Sequence, residues 1–413
     1  MSRRRVVVLS GVLVRVLAAA IIAVTVFGSG SAGAQPVSTP PAVQYSPRVL
    51  SATRVAAPPV ALPDAATTLL VRYSSLSVRG ASTWMTGTLL LPKRRPPLSG
   101  WPLAVWSHMT TGAADRCAPS TARPGDRELT HMTSGDRIVG GLLRRGFAVM
   151  RPDFEGIGGP GPHPYLIGES LARAVIDAAR AVTAFDTRIG RDMVVAGHSE
   201  GAVASLFAAA APAAQWSGLR LRAVSAVTPP TQMGRIVDLV GGVRVAGPAT
   251  RDLVGLAALM IAGGVAADPD FARIIGSGGL SVRARSLLPQ VQTRCYEELS
   301  GEDSFGGLAP ADLLGPRRGV AKKALVAIAD RNDVSHLRLN TRLPVRIDAG
   351  SYDAVAPLPL VRGLADRYRR DGVRVSFNVH PAGHTTVPLD AATAADISRW
   401  LASSLPSGNH RYP

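Results

Sequence analysis

The chain has 413 residues, 46% hydrophobic and only 18% charged, which excludes wholesale disorder and supplies enough apolar mass for one large catalytic domain. Its 46 basic residues against 29 acidic ones give a net charge of +17, yet Lys93, Lys322 and Lys323 are the only lysines and the arginines are scattered. That distribution predicts attraction to anionic membrane or cell-wall surfaces and no nucleic-acid site, since aromatic residues for base stacking are only 5%.

In chain order, the first element is "MSRRRVVVLSGVLVRVLAAAIIAVTVFGSGSAGAQP". A basic start, an apolar stretch and the small-residue exit "AGA" predict a secretory signal peptide over 1–34, cut after Ala34. An uncleaved anchor is the rival, and Arg15 opposes it, because an arginine near mid-span costs about 3 kcal/mol. Residues 35–63 are Pro-rich without periodicity and read as a leader segment on the surface. Export places Cys117 and Cys295, the only cysteines, in an oxidising compartment, where one disulfide between them is expected.

From residue 64 onward, β-type runs alternate with helical ones. Strands are predicted at 86–91, 103–107, 147–151, 193–197, 221–227, 344–349 and 373–379, with helices at 168–184 and 202–211. This alternation predicts an α/β fold with a mostly parallel sheet flanked by helices, carried by residues 64–230 and 344–405. Between 231 and 343 the pattern changes to helical apolar runs, notably 252–262 and 283–299. These predict a helical insertion that caps the sheet domain and lines an acyl pocket. A polar tail, 406–413, closes the chain.

The run "VVAGHSEGAVASLFAAA" at 194–210 carries the chemistry. A Gly-x-Ser-x-Gly frame between a strand and a helix forms an elbow that lifts Ser199 clear of the backbone, while Gly197 and Gly201 allow close packing. The helix start puts the N–H of Glu200 beside a developing oxyanion. A base is expected later in the chain. His108, His131, His163 and His198 precede the serine; His336 lies in the insertion and His410 in the tail. His198, next to Ser199, is expected to pack against the sheet. His384 in "VHPAGHTTVPLD" is therefore the expected base, with His380 at the strand end as the alternative. Asp353, in the loop after the 344–349 run, is the expected orienting acid, with Asp348 still inside the strand. "GIGGPG" at 156–161 resembles a dinucleotide fingerprint, but the following prolines delay the helix and Asp153 and Glu155 would repel a pyrophosphate. No cysteine and histidine spacing suggests a metal, and no cofactor is expected.

With these pieces placed, the sequence resembles the secretory lipase family of α/β-hydrolases, with its yeast and actinobacterial members. The likeness rests on "VWSHMTTGAADRCAPS" at 105–120, "RPDFEGIGGPGPHPYLIGESLARAVIDAARA" at 151–181, the elbow, and the Asp353 and His384 pair. It spans roughly residues 70 to 400. The resemblance implies a secreted lipase or esterase with a helical cap, acting on lipid or other esters. It also implies that the 108–115 loop completes the oxyanion site through Asp115, with Thr110 nearby. Met109 and Glu200 depart from the family pattern, Glu200 adding a carboxylate expected at the pocket mouth or pointing to water. Rival readings are an acyltransferase or short-chain esterase on the same triad, and a non-catalytic envelope-binding protein that keeps the fold.

Overall fold

Strand 101–107 is buried at every position, as is 148–152, because parallel strands in the middle of a sheet are covered on both faces. In the computed structural model residues 45–406 are described. The chain divides into two units, Met1–Ser46 and Pro47–Pro413, and the second holds every named strand and helix. The expected signal peptide and the tail from residue 407 lie outside the described residues.

Nine strands form one sheet in the order β1-β2-β3-β5-β4-β6-β7-β8-β9. They are β1 Val49–Val55, β2 Ala65–Leu76, β3 Ser82–Pro92, β4 Trp101–Ser107, β5 Ala148–Pro152, β6 Ile189–His198, β7 Arg220–Val227, β8 Val345–Gly350 and β9 Val375–His380. The first three pair antiparallel, and β3 pairs antiparallel with β5; every later pairing is parallel. The strands expected from sequence are all present. β1 and β2 were not expected. β1 falls inside the segment read as a leader: it is an edge strand, its interior positions 50–54 all exposed, so no alternation of apolar and polar residues announces it.

Side-chain alternation sorts the core into two layers. Ala104 and Trp106 of β4 join Asp136–Arg144 (α1) and the C-terminal helix Ala391–Ser403 on one face. Leu103 and Val105 join helices Gly168–Phe185 (α2) and Glu200–Ala210 (α3) on the other.

Between β7 and β8 the described residues hold helices and turns, among them Met233–Val240, Arg251–Ala267, Pro269–Ile274, Val282–Leu287 and Arg318–Arg331. The expected helix at 252–262 is realised. The one expected over 283–299 is not continuous. It stops at Leu287, passes through a tight turn containing Pro289, and resumes for one turn at Tyr296–Leu299. Proline ends the helix by removing a backbone donor, and Cys295 must leave it to reach its partner. Leu259, Phe271 and Leu325 of this insertion share one apolar cluster with Val195 of β6, so the segment packs into the sheet core.

Cys117 and Cys295 form the expected disulfide, with a Cα–Cα distance of 5.5 Å across 178 residues of sequence. On the chain-entropy account a loop of that length stabilises the fold by about 5 kcal/mol. Around it the insertion is stitched to the loop after β4. Tyr296 N–H donates to Thr111 O at 3.0 Å, and Glu297 N–H donates to the Glu128 carboxylate at 2.8 Å.

Candidate active site

β6 runs into the elbow and α3 leaves it. Ser199 holds φ 55° and ψ −116°, a backbone state that a residue with a side chain occupies only when its surroundings impose it. What imposes it is close packing at the two glycines. A Cβ at Gly197 would lie 2.1 Å from Gly201 O, and one at Gly201 would lie 2.0 Å from Ser107 O at the end of β4. No larger residue fits either position.

The loops after β8 and β9 reach the same edge of the sheet, beyond the strands' carboxyl ends. His384 Nε2 lies 2.7 Å from Ser199 Oγ, and His384 Nδ1 lies 2.8 Å from Asp353 Oδ2. The other Asp353 oxygen accepts the N–H groups of Val355 at 2.8 Å and Ala356 at 2.7 Å, so the carboxylate is held from both sides. Because a carboxylate only accepts, the proton of this imidazole sits on Nδ1 and Nε2 is left to accept from the serine. Ser199 and Asp353 are both buried.

The alternatives left by the sequence, His380 and Asp348, also pair, at 2.8 Å. Two features separate them from the first pair. Asp348 is saturated by a bidentate contact from Arg346, at 2.8 and 2.9 Å. Among the described residues the only hydroxyl on His380 is that of Thr393, which donates to Asp390 Oδ1 at 2.7 Å. This second constellation braces the sheet edge against the C-terminal helix.

His198 does more than pack against the sheet. Its Nε2 donates to the main-chain oxygen of His384 at 2.9 Å, gripping the expected base by its backbone. Burial, with the nearby His384, pushes the His198 pKa well below the ordinary value, so its ring is neutral. His108, buried against Phe154 with ring centroids 4.3 Å apart, is lowered to about 3 by burial. Both rings stay unprotonated in the native state at pH values where the unfolded chain takes up protons. Lowering the pH from 6.5 to 5 is therefore expected to reduce stability, by about 1.4 kcal/mol per unit for each ring once well below 6.5. Urea unfolding of wild type and His108→Gln at three pH values across that window checks it; equal slopes in the two proteins contradict the assignment for His108.

Glu200 corrects an expectation. Its carboxylate is neither at a pocket mouth nor turned to water: it is fully buried, with Oε1 2.9 Å from His163 Nε2. His163 Nδ1 donates to Glu155 O at 2.7 Å, so the histidine spans from the loop after β5 to the first residue of α3. The Glu200 main-chain N–H, at a helix start, has no intrahelical acceptor and is available to an oxyanion. The glycine-rich 156–161 stretch makes turns at Gly156, Gly158 and Gly161, all with positive φ, and the helix begins at Gly168. It builds the wall that carries Glu155 and His163.

The two loop residues expected at the oxyanion site differ in burial. Thr110 is buried three residues beyond the β4 end that abuts Gly201, and its Oγ1 lies 2.8 Å from Tyr165 Oη. Asp115 is exposed and opens the turn Asp115–Cys117, and no hydrogen bond or ion pair of its side chain occurs among the described residues. Packing of the 111–114 segment, locked by the disulfide and the Gly112–Cys295 bridge, carries Asp115 outward. In the sequence His163 counts only as a histidine that precedes the serine, and Tyr165 only as part of the 151–181 block, because nothing local marks either for a role. Among the described residues no group of three or more His, Cys, Asp or Glu side chains is placed to hold a metal ion.

A parallel sheet behind an antiparallel lead-in, with an elbow after β6 and an acid and a base on the loops after β8 and β9, defines an α/β-hydrolase. Secretory lipase sequences match residues 127–407, and the chain belongs to the secretory lipase family, making it a carboxylic ester hydrolase. Among solved structures it is similar to Candida antarctica lipase A in its closed state, with 18% identity and a TM-score of 0.70 over 89% of this chain and 85% of that one. The rice cell wall degrading esterase LipA from Xanthomonas oryzae has 16% identity and a TM-score of 0.64, over 87% of this chain and 99% of that one. A Legionella pneumophila putative hydrolase has 16% identity and a TM-score of 0.63, over 81% and 88%. No curated protein matches the chain significantly.

Proposed function

We propose that this is a secreted serine hydrolase that cleaves lipid esters through Ser199, His384 and Asp353. The observation that carries the reading is the unbroken chain from Ser199 Oγ through His384 to Asp353, at 2.7 and 2.8 Å. Ser199 Oγ attacks the acyl carbonyl as its proton passes to His384 Nε2. The resulting oxyanion is held by the Glu200 N–H and the Thr110 loop. His384 then protonates the departing alcohol, and a water activated by the same imidazole releases the acid and restores the serine. Asp353 holds the imidazole in the working tautomer and stabilises its protonated form.

An apolar slot that reaches Val355, two residues from Asp353, supports a lipid acyl group. Met233, Val237, Leu256, Met260 and Leu325 of the helical insertion line it, with Val355, whose N–H holds Asp353. Its free space is about 70 Å³, a narrow slot shaped for a slender apolar chain. Export through the N-terminal segment, and attraction of the positive surface to anionic membrane or wall, complete the reading. Rates on p-nitrophenyl esters from acetate to palmitate, with and without an added alcohol, test it. We expect kcat/KM to rise with chain length and free acid to remain the main product. A preference for acetate, or transfer to the alcohol as the main outcome, refutes the lipid-hydrolase assignment.

A further inference from the structure

The Thr110 hydroxyl carries one proton, and the oxyanion accepts but cannot donate. A threonine that spends its proton on a neighbour would turn a lone pair toward developing negative charge. Direction therefore matters in the 2.8 Å contact between Thr110 Oγ1 and Tyr165 Oη, which is the one side-chain hydrogen bond of either hydroxyl among the described residues. Resting on the triad reading above, we propose that Tyr165 is a positioning residue for ester cleavage: its phenol donates to Thr110 Oγ1 and so commits the Thr110 proton to the oxyanion.

Three observations support this direction. A phenol is a far better donor than an aliphatic hydroxyl, and each bond in such a relay polarises the next. Burial, followed by the charge of Glu200, raises the Tyr165 pKa well above its ordinary value, so the phenol keeps its proton throughout the working pH range. The backbone around Tyr165 is also clamped. Its N–H donates to His163 O at 3.0 Å. Helix Arg251–Ala267 presses on it so closely that a Cβ at Gly263 would lie 2.5 Å from Tyr165 N. Leu166, the next residue, is held at φ 57°, a costly state for a leucine and one that persists only where the surroundings impose it. These constraints fix an oxygen whose only hydrogen-bond partner among the described residues is Thr110. They also tie the oxyanion loop to the cap, since the helix that seats Tyr165 also lines the acyl slot through Leu256 and Met260.

The test is a double-mutant cycle on p-nitrophenyl ester hydrolysis, with fluorophosphonate labelling of Ser199 as a separate readout. Tyr165→Phe removes one oxygen and keeps the ring. We expect kcat to fall about tenfold with KM unchanged, Thr110→Val to lose about a hundredfold, and the pair to lose no more than Thr110→Val alone. An unchanged kcat in Tyr165→Phe, a matching rise in KM, or multiplicative losses in the double variant overturn the proposal. If Tyr165→Phe does not fold, Thr110→Val decides: intact kcat there removes the group through which Tyr165 acts, and a loss confined to kcat supports it. Labelling persists in either variant if only the Tyr165 role is wrong, whereas an unlabelled wild-type serine refutes the triad reading.

Discussion

Ser199→Ala is expected to lower kcat about 10⁶-fold while the protein still folds and melts near the wild-type temperature. The residue holds an imposed backbone state, φ 55°, but alanine carries the same Cβ as serine and adds no strain there. Only the hydroxyl is lost, and with it the hydrogen bond to His384 Nε2. The Glu200 N–H and the Thr110 loop survive, so the variant should retain ester binding and a residual rate above the background in water. Hydrolysis of a p-nitrophenyl ester, fluorophosphonate labelling and a thermal melt together check the expectation. A folded variant that keeps full activity or full labelling rules Ser199 out as the nucleophile.

Asp353→Asn should cost about 10⁴-fold in kcat, for a reason visible in its hydrogen bonds. Oδ1 accepts from Val355 and Ala356, so the asparagine must place its own oxygen there to avoid setting an NH₂ against two N–H groups. The amide nitrogen then faces His384 Nδ1 and donates to it. That bond forces the imidazole proton onto Nε2, where it points at Ser199 and blocks proton abstraction. His380→Ala is the matched control. Its partner Asp348 is already saturated by Arg346, and the rate should stay within about threefold of wild type. Loss of activity in His380→Ala with retention in Asp353→Asn would exchange the two pairs and refute the assignment.

Much of this arrangement was legible in the chain because it depends on neighbours in sequence. The elbow is a strand, a five-residue frame and a helix, and the glycines at 197 and 201 announce the close approach that the structure realises against Ser107 and Gly201 itself. The alternation of strands and helices, the helical stretch that interrupts it, and the disulfide all followed from local pattern or from counting two cysteines. What failed did so where the signal was weak or misleading. β1 is an exposed edge strand that carries no burial pattern. The 283–299 run has helical composition, but Pro289 and the pull of Cys295 divide it.

By itself, then, the sequence determined the α/β class, the strand-to-helix elbow at Ser199 and the family, since each is written in residues a few positions apart. Which carboxylate serves which imidazole, why Glu200 turns inward to His163, and why Thr110 is buried against Tyr165 while Asp115 faces outward were decided only by the tertiary structure. Those choices join segments 31 to 185 residues apart. They turn on which way each side chain faces once the sheet, the post-β5 loop and the cap close around it, and no local periodicity encodes that direction.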